Sequence, residues 1–203
     1  MVDARHAGEL LAVRHASAAD PDPDRSLVNH AESPRIGDWT MRSAMTRLAQ
    51  PEPQLVEMLA TLIRRLDAIL HHLARPLERH TVICDRAIAA DTLSGPPVEP
   101  YPDTRTADLA RLAEGVGSAG DDVVAGYVAE VELSAEEAHA VPLLRVAAMF
   151  DALAGELAEW AMSAPGQPPA ERVRSTCAAA QARLDELGVP AEEPPSERRV
   201  RRS

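Results

Sequence analysis

His71, His72, His80, Cys84 and Asp85 form the one run in this chain that gathers the side-chain types of a metal centre. Imidazole, thiolate and carboxylate groups on a common face could hold a zinc-like ion, and His72, His80 and Cys84 stand at helical spacing. A common face would require one unbroken helix through Pro76, which lacks a backbone donor and crowds the preceding turn. The histidines are therefore read as solvated groups near a helix end, where partial positive charge suits the dipole. No metal and no cofactor is expected.

Thr81-Val82-Ile83-Cys84-Asp85 raises a second chemistry. Such a run could be a strand that delivers a carboxylate to a phosphate site, or an apolar patch beside a loop. All 21 basic residues are arginine, a bias that suits a genome rich in G and C. Without lysine there is no Schiff base, no phosphate-loop lysine and no lysine general base. No Gly-x-Ser-x-Gly nucleophile turn and no dinucleotide-binding glycine pattern occurs. "GVGSAG" at 115–120 reads as a helix terminator. The acid pairs Asp121-Asp122 and Glu136-Glu137 stand at helix starts, where carboxylates complement the dipole. Cys84 and Cys177 match no disulfide framework and are read as reduced core thiols.

The net charge of −11 argues against nucleic acid, whose binding needs a basic face. The exception is Arg198, Arg199, Arg201 and Arg202, a candidate tail for an anionic partner. The first residues carry an early acid and no long apolar run, unlike a signal peptide, and no stretch approaches the roughly 20 apolar residues of a membrane span. A cytoplasmic protein is expected.

The elements that must position these groups are helical. Leu10, Leu11 and Val13 suggest a helix turn or two inside a peripheral segment, 1–37. Asp38 suits an N-cap for a helix up to Gln50. From Gln54 to Ala74, Leu55, Leu59, Leu62, Leu66, Ile69 and Leu73 form a wide apolar stripe, which Pro76 closes. Residues 77–90 stay ambiguous between strand and helix. Four prolines between 96 and 102 predict an extended loop. Short helices follow over 106–114 and from Asp121 or Asp122, the latter with Val123, Val124, Tyr127, Val128 and Val131 inward. Ser134 and Glu137 make a capping box, and Pro142 is expected to start a fresh helix bearing Leu143, Val146, Phe150, Leu153, Leu157 and Trp160. A last helix from Pro169 to Gly188 carries Val173, Cys177, Ala180, Leu184 and Leu187 on one face.

Residues 82–161 resemble the C-terminal helical part of the aminoglycoside phosphotransferase and choline-kinase-like family. Val82-Ile83-Cys84-Asp85 is similar to that family's strand ending in a metal-binding aspartate, and Asp108-Leu109-Ala110 to its Asp-Leu-Ala helix start. Gly126-Tyr127 and Leu133-Ser134-Ala135-Glu136-Glu137 resemble the segments that follow. The resemblance makes Asp85 and Asp108 candidates for a relic metal or phosphate site. The family's His-Gly-Asp with its downstream Asn has no counterpart, and neither has the lysine that grips ATP. The residues available leave no room for an N-terminal lobe. Phosphoryl transfer relies on those positioned charges.

The sequence thus predicts an all-α protein, an antiparallel helical bundle that leaves one short strand near 81–84 open, with 81–85 read mostly as an apolar patch beside a loop. A flexible segment covers 1–37, the helical domain 38–188, and a disordered charged tail 189–203. The first functional expectation is a non-catalytic regulatory or adaptor protein that contacts a protein partner, with an exposed seam suited to dimerisation. The alternatives are a divergent small-molecule phosphotransferase, and a bundle holding an apolar ligand among Met41, Met45, Met58, Met149 and Met162.

Overall fold

A computed structural model of the chain describes residues 3–17, 39–77, 81–163 and 166–190. The fold is mainly α, as the stripes predict. In chain order the elements are α1 (Ala4–Ser17), α2 (Trp39–Ala49), α3 (Pro53–Leu77), β1 (Thr81–Asp85), β2 (Pro100–Thr104), α4 (Arg105–Gly115), α5 (Gly120–Glu130), α6 (Ala135–Met162) and α7 (Ala170–Glu186). A short 3-10 turn, Gly117–Ala119, joins α4 to α5.

The single bundle expected from the stripes is divided between two cores. Leu55, Leu59, Leu62 and Leu66 of α3 pack with Phe150, Leu153 and Leu157 of α6 and with Val173, Cys177 and Leu184 of α7, joined by Ala44 and Leu48 of α2. A second core unites Ala7 and Leu11 of α1, Leu109 and Leu112 of α4, and Val123 and Tyr127 of α5. Helix α6 serves both, since its Val141 belongs to the second core and its later turns to the first.

Helix α1 departs from the expectation of a flexible segment over 1–37. It runs fourteen residues, and Ala7, Gly8, Leu11, Ala12 and His15 are buried. Its contact with α5 is close because it is made by glycines. A Cβ on Gly8 would lie 2.0 Å from the Val123 carbonyl oxygen, and one on Gly126 would lie 1.9 Å from that of Arg5. Backbones this near leave no room for larger residues. Val128, expected inward, is 45% exposed, because the inner face of α5 is Gly120, Val123, Gly126 and Tyr127.

Three further corrections concern prolines. The loop expected over 96–102 ends in β2, which pairs antiparallel with β1 so that Ile83 faces Pro102 and Cys84 faces Tyr101. Prolines two residues apart put both missing donors on the same edge of a strand, and the other edge remains free to pair. Residues 81–85 are accordingly strand, not helix. Pro142 starts no fresh helix: α6 is continuous from its capping box at Ser134 and Glu137 through Pro142 to Met162. Burial of Val141, Leu143 and Leu144 around the proline holds the helix together where one backbone donor is lost. Similarly, α3 continues through Pro76 to Leu77.

The end of α7 follows expectation. Gly188 adopts φ 67°, the Val189 amide donates to the Leu184 carbonyl at 2.9 Å, and the Gly188 amide donates to that of Asp185 at 3.0 Å. These two bonds are the Schellman pair that closes a helix on a left-handed glycine. The expected tail boundary at 189 is displaced, since Val189 is buried in the first core and Arg65 donates to the carbonyls of Val189 and Pro190. Among the described residues no helix is long and apolar enough to cross a membrane.

Candidate functional site

The end of β1, the first turn of α4 and the C-terminal half of α1 meet in a buried polar network. Asp85 lies at its centre. Its Oδ1 accepts the amides of Ala87 at 3.1 Å and Glu99 at 2.9 Å, and its Oδ2 accepts that of Val98 at 2.9 Å. Arg14 of α1 reaches Oδ2 at 3.5 Å. Burial alone would push the pKa of this carboxyl group up. The three amides and the guanidinium outweigh it and hold the group below its usual range. The turn after β1 and the entry to β2 are thereby tied to one side chain.

Asp108 plays the matching part for α4. Its carboxylate accepts the Asp85 amide through Oδ1 at 3.0 Å and Oδ2 at 3.2 Å. Oδ2 also lies 3.3 Å from His15 Nε2, and His15 Nδ1 lies 2.9 Å from the Tyr127 hydroxyl. Cys84 Sγ donates to the Thr104 carbonyl at 3.3 Å. Burial, then the carboxylates of Asp108 and Asp103, push the Cys84 thiol well up, so it is no thiolate nucleophile. His15, Cys84 and Asp108 each offer one metal-ligating atom, and those three atoms all lie within 4.8 Å of one another.

Beside this network a cleft of about 350 Å³ opens where α4 meets α6 and α7, lined by Arg86, Arg111, Glu114, Met149, Asp151 and Arg172 among others. Arg86 and Arg111 stack on the Tyr101 ring, at 4.7 and 5.3 Å from its centroid. Arg111 also approaches Asp103 at 3.7 Å and Asp108 Oδ1 at 3.8 Å, while Arg172 is paired with Glu156 at 3.0 Å. The cleft therefore carries charges of both signs over a small apolar floor.

Of the residues singled out from the sequence, the structure brings Asp85 and Asp108 together, through the backbone of one and the carboxylate of the other. His71 and His72 are exposed on α3, ring against ring at 6.1 Å, whereas Cys84 is buried. His80, Arg198, Arg199, Arg201 and Arg202 lie outside the described residues. The Met41 side chain lies outside the description, and the described Met45, Met58, Met149 and Met162 do not line one cavity. Met58 is 40% and Met162 is 74% exposed, Met45 packs on the first core, and Met149 borders the cleft. The acid pairs do stand at helix starts. Asp121 pairs with Arg145 at 2.6 Å, and Glu137 takes Arg105 through two bonds of 2.6 and 2.7 Å.

His15, Arg14 and Arg111 escaped the sequence reading, and Tyr127 was read only as an inward residue of its helix, not as a partner of His15. His15 follows Leu11 by four residues, so it shares the buried face of α1. That spacing was the available signal, masked because the rest of the face is alanine and glycine. Compared with family models, curated proteins and solved structures, the chain matches none.

Proposed function

We propose that this protein is a non-catalytic, mainly helical regulatory or adaptor protein that acts in the cytoplasm by contact with a protein partner. The observation that carries the reading is the state of Asp85. A carboxylate that serves a metal or phosphate must turn a lone pair toward it. Both oxygens of Asp85 instead accept backbone amides from the turn and loop around them, and the group is fully buried. On this reading the kinase-like resemblance is a retained scaffold whose acidic residues hold a hairpin to a helix.

A second reading follows from the cleft. Its paired arginines and acids suit a small polar ligand that carries both charges, and they disfavour the apolar ligand that the methionines suggested.

A thermal-shift series with ATP or GTP and magnesium, run beside lipids and zwitterionic metabolites, separates these readings from phosphoryl transfer. No response to nucleotide is expected. Magnesium-dependent stabilisation by a nucleotide that disappears in a folded Asp85→Asn variant overturns the non-catalytic reading.

A further inference from the structure

The geometry points to a buried site for a divalent ion of the zinc class, ligated by His15 of α1, Cys84 of β1 and Asp108 of α4. One ligand atom of each lies within 4.8 Å of the other two. Around a tetrahedral ion with bonds of about 2.0–2.3 Å, ligand atoms stand about 3.3–3.8 Å apart. His15 Nε2 and Asp108 Oδ2 are already 3.3 Å apart. The widest pair needs only about 1 Å of side-chain movement to close.

The chemistry of the set selects the ion. One imidazole, one thiol and one carboxylate form the mixed nitrogen, sulfur and oxygen donor set that suits zinc, whereas magnesium and calcium take oxygen alone. Three protein ligands leave a fourth position to water.

The surroundings are those of a ligating histidine. Such a residue commonly donates through its other ring nitrogen to a fixed acceptor, which sets its tautomer and aim. Here Nδ1 meets the Tyr127 hydroxyl at 2.9 Å, in a contact buried on α5. Asp108 is held by the Asp85 amide. That amide reaches both oxygens, at 3.0 and 3.2 Å, while Arg111 approaches Oδ1 at 3.8 Å and His15 Nε2 faces Oδ2 at 3.3 Å. A dication would also relieve the repulsion that Asp108 and Asp103 exert on the Cys84 sulfur.

Proton balance is simple. With His15 neutral and its proton on Nδ1, Nε2 offers a lone pair, Asp108 binds as the carboxylate, and Cys84 binds as the thiolate. One proton, from the Cys84 thiol, leaves to solvent per ion bound. The ion would join α1 to the hairpin and to α4, so that docking of the N-terminal helix becomes metal-dependent. This inference stands apart from the adaptor reading, and either can fail alone.

The test uses the full chain refolded with zinc or with cobalt(II), because all three ligands are buried, and then freed of loose metal. One ion per chain is expected by elemental analysis. The cobalt form should show a thiolate-to-metal absorption band that vanishes in Cys84→Ser and persists in Cys177→Ser. His15→Gln and Asp108→Asn should each reduce retained zinc at least tenfold. Tyr127→Phe, which removes a positioning contact alone, should weaken zinc 10–100-fold with helical content unchanged. Less than a tenth of an ion per chain overturns the site. So does a cobalt band that survives Cys84→Ser, and so does metal lost in His71→Ala/His72→Ala, which would place binding on the exposed pair of α3.

Discussion

The backbone amide of Asp85 donates to both carboxylate oxygens of Asp108, at 3.0 and 3.2 Å. A residue at the end of β1 and one in the first turn of α4 thus fix how the hairpin meets the helix. Asp85 in turn gathers the amides of Ala87, Val98 and Glu99 with its own carboxylate. Each aspartate organises backbone, and together they clamp the segment between β1 and α4, of which residues 86–99 form neither helix nor strand.

Asp85→Asn should therefore lower stability by about 1–3 kcal/mol, because an amide presents donors where the loop also presents donors. The acid limb should flatten as well. The folded protein holds Asp85 below its usual range, so its contribution is present above the unfolded value near 4 and is lost as pH falls through the lower folded value. Denaturant midpoints at pH 7 and below pH 4 check this. The gap between parent and variant should narrow in acid, and a constant gap would contradict the proposed role.

Gly126→Ala tests the contact between α1 and α5. Its Cβ would meet the Arg5 carbonyl oxygen at 1.9 Å, and backbone cannot rotate aside as a side chain can. The helices must separate, at a loss of about 1–3 kcal/mol or more. Amide exchange should quicken across Ala4–Ser17 while α3 and α7 keep their protection. Unchanged exchange in α1 would mean that the crossing is looser than the geometry states.

Leu66→Ala probes the first core. Leu66 is 2% exposed and packs in the same cluster as Leu62, Phe150 and Leu153. The loss should be about 2–5 kcal/mol by chemical denaturation, with the spread set by how far the site collapses. A value below about 1 kcal/mol would place this stripe against solvent or a partner.

The first core was legible because it is built of long apolar side chains at helical spacing, as in α3 and α6. The second was not, since α1 buries Ala7, Gly8, Ala12 and His15, which carry little hydrophobic signal, and a glycine face looks like a loop. Proline misled in both directions. At 100 and 102 it hid a strand whose paired edge it does not touch, and at 142 it suggested a break that buried neighbours prevent. Asp85 and Asp108 stood out as acids in suggestive motifs, but their pairing runs through a backbone amide, which residue types do not encode. His15 is joined to them by a contact 93 residues long in sequence, beyond the reach of any local pattern.

Truncation distinguishes the two ends of the last segment. Residues 191–203, which lie outside the described residues, are rich in proline, acids and arginine. Such a composition has few apolar groups to offset the entropy of ordering. Ending the chain after Pro190 should leave the melting temperature within error. Ending it after Gly188 should not. That cut removes Val189 from the first core and the Val189 and Pro190 carbonyls from Arg65, a buried cation left with Asp185 alone. It also removes the amide that closes α7 on Leu184. The lost apolar burial and the unmet donors amount to about 2–5 kcal/mol, which for a domain of this size lowers the melting temperature by several degrees. Equal melting of the two truncations would show that Arg65 finds other acceptors. A fall already at the longer one would show that the charged end packs against the helices.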